Sequence, residues 1–169
     1  MTFTEHDHNG LVWLTAPVIG AKHAFTTRLG GVSGGPWASL NLGDNRGDDL
    51  GNVRENYRRL GAALGADLSA PVRTRQVHGR EVRVVTDADR CPPGVPVPYE
   101  ADGLVTGVPG LPLMCFIADC VPVLLAGLDA LTLRTMPRTQ LFSAAVTLRP
   151  GAEYDLDELT EKLVRAGYT

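Results

Sequence analysis

The sequence predicts a chain of short strands with few helices, an α-and-β class and not a helical bundle. Three observations carry this. Glycine (19) and proline (12) are abundant among 169 residues, so turns are frequent. Several β-favouring runs of three to six residues are separated by such turns. Only two segments show helical apolar spacing.

Residues 1–10 are polar throughout and are expected to be loose. Leu11-Val-Trp-Leu and Ala24-Phe-Thr-Thr read as strands. In the run Arg28-Leu-Gly-Gly-Val-Ser-Gly-Gly-Pro, four glycines fall within six positions. Such density lets backbone amides approach a ligand or adopt φ > 0; a flexible surface loop is the plainer alternative. No Gly-Lys-Ser/Thr follows, so this is not a P-loop. Residues 52–64 form the clearest helix, with Val53, Tyr57, Leu60 and Leu64 on one face and Arg54, Glu55, Arg58 and Arg59 in water. Asn52 is expected to cap it and Gly65 to close it. Residues 72–77 and 81–86 read as strands around His78-Gly79. Four prolines make residues 91–98 an irregular loop. Residues 104–106 and 113–117 are strand-like, Ala118-Asp-Cys interrupts the apolar pattern, and Pro122-Val-Leu-Leu resumes it. Near the end, residues 142–149 suggest a strand, Pro150-Gly151 a turn, and Asp155 with Glu158 the start of a helix.

Composition narrows the function classes. The net charge of −3 gives no basic surface for nucleic acid or an anionic membrane. The apolar stretch at 111–128 is broken by Pro112, Asp119 and Pro122, which excludes a membrane-spanning helix there. The N-terminus has neither a basic start nor an apolar run, so no secretory signal is expected. Cys91, Cys115 and Cys120 are odd in number and irregularly spaced, as in a reduced, cytoplasmic protein.

His78 and Cys120 are the chemically capable pair. Imidazole and thiolate both ligate zinc, and a catalytic zinc usually has three protein ligands and a water. From spacing alone, a surface histidine and a core cysteine are the simpler explanation. The surrounding motifs point further. His23-Ala-Phe-Thr-Thr-Arg-Leu-Gly-Gly-Val-Ser, Ser39-Leu-Asn-Leu-Gly, Gly47-Asp-Asp with Val53-Arg-Glu-Asn, Gln76-Val-His-Gly, Ala101-Asp-Gly-Leu-Val-Thr and Ala118-Asp-Cys-Val-Pro-Val-Leu-Leu occur in that order. Over residues 10–126 they closely resemble the YfiH family, long labelled multicopper polyphenol oxidases or laccases. Its members are regarded as zinc-dependent purine nucleoside phosphorylases with adenosine deaminase and methylthioadenosine phosphorylase side activities.

The resemblance implies an α+β fold, a mixed β-sheet flanked by helices, truncated here relative to the family. It implies that His78 and Cys120 bind the metal. The family's third ligand is a histidine in a His-Ala-Gly-Trp-Arg-Gly motif after Ala-Asp-Cys; this sequence has only His6, His8, His23 and His78. Asp119, His6, His8 or a residue of another chain are the substitutes to consider. Zinc is the implied cofactor. Copper oxidation of phenols is disfavoured, because multicopper sites need many paired histidines. Purine nucleosides and phosphate are the implied partners, with Arg28, the Gly30 and Gly31 amides and Asn41 as substrate-binding candidates. The expected reaction is phosphorolysis, impaired by the missing ligand. The alternatives are an inactive truncated or fused protein, and a hydrolase using Cys120 as nucleophile with His78 as base. Sheet edges left open by lost strands favour pairing with another chain, so a homo-oligomer is an expectation. Residues 127–169, with Leu133-Arg-Thr-Met-Pro-Arg and the run from Val146 to Leu159, resemble a fragment of a bacterial transcription-repair coupling factor without its motor.

Overall fold

The computed structural model describes residues 3–118 and 120–126. The chain divides into two units, Met1–Phe116 and Ile117–Thr169. The strand and helix expected at 142–163, and the repair-factor-like segment, lie outside the described residues.

The first unit opens on a hairpin. Strands β1 (Thr4–His8) and β2 (Leu11–Thr15) pair antiparallel, from Thr4 against Thr15 to His8 against Leu11. This corrects the expectation of a loose N-terminus. The two-residue connection is Asn9-Gly10, both with positive φ (55° and 82°), the turn whose twist matches a tight hairpin. Strand β1 is polar because it lies at the sheet edge and is largely exposed, so hydrophobic patterning could not reveal it. Strand β3 (Phe25–Thr26) completes the sheet on the other side of β2.

Helix α1 runs over Leu50–Leu64. Its cap is Asp49, three residues before the expected Asn52: the Asp49 carboxylate accepts the amides of Gly51 (2.7 Å) and Asn52 (3.2 Å). Gly65 closes the helix at φ 58°, as expected. Val53, Tyr57 and Leu60 are buried and join Leu11, Leu40 and Leu68 in the main core. Arg58 and Arg59 pair with Glu55 on the solvated side.

A second, smaller cluster of Val72, Val85 and Leu111 underlies a parallel pair, β4 (Val82–Val84) with β5 (Gly103–Val105). The strands expected at 72–77 and 113–117 are reduced to isolated bridges, Val72 with Leu113 and Arg75 with Glu100. Beyond the first bridge the Gln76 side chain takes over from the backbone ladder. It donates to the Phe116 carbonyl (2.9 Å) and accepts the Phe116 amide (2.7 Å). The described residues are thus an α+β arrangement of mixed sheets with one α-helix.

The 91–95 loop, irregular as expected, is fastened from inside. Arg73, with its side chain almost wholly buried, donates to the carbonyls of Cys91, Pro92 and Val95 and pairs with Asp44. Burial opposes ionisation of Asp44, but the Gly94 amide and Arg73 together outweigh it and hold the carboxyl below its usual range.

Candidate functional site

The glycine run is a fastened loop. The Arg28 carbonyl accepts the amides of Ser39 (3.0 Å) and Leu40 (2.8 Å), and the Arg28 Nε donates to the Ala38 carbonyl (2.6 Å). Arg28 is exposed and takes part in none of the ion pairs among the described residues. Gly30 has φ 85°, and a Cβ there would lie 2.2 Å from the Leu11 Cα. One at Gly31 would lie 2.0 Å from the Ser39 carbonyl oxygen. These glycines admit the protein's own backbone, a cause that the sequence pattern does not distinguish from room for a ligand. The Gly31 amide donates to Ser39 Oγ (3.2 Å).

Asn41 is likewise engaged. Its Nδ2 donates to the Gly43 carbonyl and to Asp48 Oδ2 (2.9 Å), and its Oδ1 accepts the Gly43 amide. Asn41 and then Ser33 hold the Asp48 carboxyl below its usual range. At the centre sits Asn56, fully buried on α1. Its Oδ1 accepts the Val32 amide (2.8 Å), and its Nδ2 donates to Ser33 Oγ (2.9 Å), the Ser39 carbonyl (3.3 Å) and the Asn41 carbonyl (2.8 Å). One amide therefore ties the glycine loop to the 39–41 segment. Asp48 and Asn56 stand in the Gly47-Asp-Asp and Val53-Arg-Glu-Asn motifs, but the sequence reading assigned neither of them a role. The available signal was Asn56 itself, a polar residue on the apolar stripe of Val53, Tyr57 and Leu60.

His78 lies in an exposed turn, not at the end of a regular strand, with φ 58° in the left-handed region. The amides of Val77, His78 and Gly79 all donate to the Asp102 carboxylate, at 3.1, 2.9 and 2.8 Å. Asp102 belongs to the Ala101-Asp-Gly motif, but its role depends on a contact more than twenty residues away. The Asp102 charge also acts on Cys115. Covering of the sulfur, and then that carboxylate, push the Cys115 thiol up, although the residue as a whole is exposed.

Cys120 is an exposed, free cysteine in the second unit, and Asp119 lies outside the described residues. His6 and His8 are part of β1; His6 stacks on Trp13 with ring centroids 5.2 Å apart and bonds Thr15 Oγ1 (2.8 Å). Among the described residues no group of three His, Cys, Asp or Glu side chains is placed to hold a metal ion. Two donors alone do not make a zinc site, so these residues do not fit a bound zinc. Two surface grooves in the first unit, one lined by Arg54, Tyr57 and Pro93 and one by His6, Trp13 and His23, include neither Arg28 nor His78. Among the described residues no helix is long and apolar enough to cross a membrane.

Comparison with known proteins places this arrangement. The chain is 50% identical over 121 residues to a protein of Deinococcus radiodurans named purine nucleoside phosphorylase, covering 72% of this chain and 44% of that protein. A purine nucleoside phosphorylase of Streptomyces griseus is 46% identical over 113 residues, 66% of this chain and 45% of that one. Among solved structures, YlmD from Geobacillus stearothermophilus superposes with a TM-score of 0.58 at 37% identity, covering 66% of this chain and 42% of YlmD. The Bacillus licheniformis hypothetical protein YfiH gives 0.51 at 28%, covering 63% and 41%. The chain therefore spans less than half the length of these relatives. Residues 22–132 match the family described as multi-copper polyphenol oxidoreductase laccase, and the chain belongs to that laccase-like family.

Proposed function

We propose that this chain acts on purine nucleosides and phosphate, as an impaired purine nucleoside phosphorylase. In the reaction a phosphate oxygen bonds to the ribose C1′ as the bond from C1′ to the base nitrogen breaks, giving free base and ribose 1-phosphate. The supporting observation is the 50% identity over 121 residues to a protein bearing that name; the family match at residues 22–132 includes the glycine loop and the His78 turn. Arg28 suits phosphate: its Nε is anchored on Ala38, which orients the guanidinium fork for an anion. Inosine and adenosine are the substrates to try first, with adenosine deamination as a side activity, and the cytoplasm is the compartment that three reduced thiols favour.

Zinc on His78 and Cys120 is the cofactor the family likeness suggests. The described residues supply no third donor, and no histidine follows His78 in the sequence. No step is therefore routed through it. The same observation favours a second reading, a family member with no turnover at all.

The test is release of hypoxanthine from inosine by the purified chain. Slow, phosphate-dependent release that His78→Ala abolishes supports the first reading. Turnover indifferent to phosphate or to His78→Ala overturns it, and no release under any condition favours the second.

A further inference from the structure

The geometry points to Asp102 as the positioning residue for His78: by accepting three successive backbone amides, its carboxylate holds residue 78 left-handed and so sets where the imidazole projects. A histidine at φ 58° occupies a region that side chains seldom adopt, and surroundings must over-determine it. Nothing in the core does so here. His78 and its neighbours at 77, 79 and 80 are exposed.

What remains is the carboxylate. Its Oδ1 takes the Val77 and His78 amides and its Oδ2 the Gly79 amide, a small anion cradle filled from within the chain. Three charge-assisted bonds to one group outweigh the local preference of the turn. Gly79 fits because a Cβ there would come within 3.2 Å of Oδ2.

Asp102 is itself rigidly placed. Its amide donates to the Glu81 carbonyl (2.9 Å), and the preceding Ala101, fully buried, donates to the Arg75 carbonyl (3.3 Å). The following residue begins β5, which pairs with β4. On the near side, Gln76 is clamped to Phe116. The turn is thus gripped at its entry by one side chain and around its apex by another. This inference rests on the reading that His78 belongs to the functional site, but its test does not need turnover.

The experiment is NMR of the full chain carrying Asp102→Ala, Asp102→Asn or no substitution. The His78 Cα and Cβ shifts report the backbone conformation, and hydrogen exchange reports the three amides. In Asp102→Ala, the His78 shifts are expected to leave left-handed values. The 77–79 amides are expected to exchange roughly tenfold faster or more, while signals of α1 stay in place. Asp102→Asn keeps one oxygen for the Val77 and His78 amides but sets an N–H against the Gly79 amide, so its loss is expected to be smaller than that of Asp102→Ala, with the Gly79 amide exchanging fastest. Left-handed shifts that persist in Asp102→Ala overturn the proposal. So does a Gly79 amide that exchanges as slowly in Asp102→Asn as in the unsubstituted chain. Should Asp102→Ala fail to fold, Asp102→Asn and His78→Gly decide: His78→Gly must keep the slow 77–79 amides, and fast exchange there overturns the proposal. Failure of inosine phosphorolysis would leave these outcomes unchanged and would count only against the proposed function.

Discussion

Replacing Asn56 by Ala and by Asp separates the two things its side chain does. In Asn56→Ala, the Val32 amide and the Asn41 carbonyl lose the one partner each has in the network, whereas the Ser39 carbonyl keeps the Ser33 amide. A buried polar group left unpaired costs about 1–3 kcal/mol; Val32 and Asn41 are half-buried, so the two together are expected to cost about 2–3 kcal/mol, the lower part of the range for two. That is a large part of the about 5–15 kcal/mol that holds a typical domain together. Asn56→Asp keeps the shape and the acceptor for Val32 but turns a donor amide into an oxygen facing two carbonyls. Burial and those carbonyls push the new carboxyl up, above its value of about 3.9 in the unfolded chain. The protonated form can still donate once, so the variant is least damaged near pH 4. The loss then grows by about 1.4 kcal/mol per pH unit until the raised folded-state value is passed. Urea unfolding at pH 4 to 7, followed by Trp fluorescence, measures both effects. A cost below about 1 kcal/mol for Asn56→Ala, or an Asn56→Asp loss that does not grow with pH relative to Asn56→Ala, would refute the assignment of Asn56 as the tie between the two loops.

Three other outcomes follow from the same structure. Asp44→Asn should cost about 3 kcal/mol, the lower end for breaking a buried pair because Asp44 is 17% exposed while Arg73 is 3% exposed. Because the Asp44 carboxyl is lowered on folding, its contribution is present above about pH 4 and lost as pH falls further; the variant should therefore show a flatter acid limb in thermal melts. Cys115, whose thiol is raised, should alkylate more slowly at pH 8.5 than a free cysteine, and Asp102→Asn should speed it by removing the nearby charge; mass spectrometry of iodoacetamide-treated protein reads this directly. If phosphorolysis is present, Arg28→Ala should raise the KM for phosphate about 10- to 100-fold, the loss of one charge-assisted contact of about 1.5–3 kcal/mol, with Arg28→Lys in between.

Much of the fold was legible where burial imposes a period. The 53, 57, 60 stripe announced α1, and the runs at 11–14, 24–27, 81–86 and 104–106 became strands because each packs against, or pairs with, a neighbouring run. The hairpin of β1 was hidden because an exposed edge needs no apolar alternation, although Asn9-Gly10 was a turn signal in plain view. The runs at 72–77 and 113–117 were read too regularly, since a side chain, Gln76, can replace ladder bonds without changing the hydropathy pattern. For the candidate site, motifs singled out His78, Arg28 and the glycines as expectations, whereas the residues that hold them in place had to be seen in space. Asp102 meets its turn across more than twenty residues, and Asn56, out of place on an apolar stripe, shows what it bonds only once the glycine loop is placed. The glycine pair shows the limit of motif reading most clearly: Gly30 and Gly31 are demanded by Leu11 and Ser39, whether or not phosphate also approaches.

Elemental analysis of zinc per chain, in protein purified without chelator and dialysed against metal-free buffer, tests whether His78 and Cys120 hold the metal without a third donor among the described residues. Well under one zinc per chain is expected. One tightly retained zinc per chain would contradict it and would require a third ligand that the described residues do not provide.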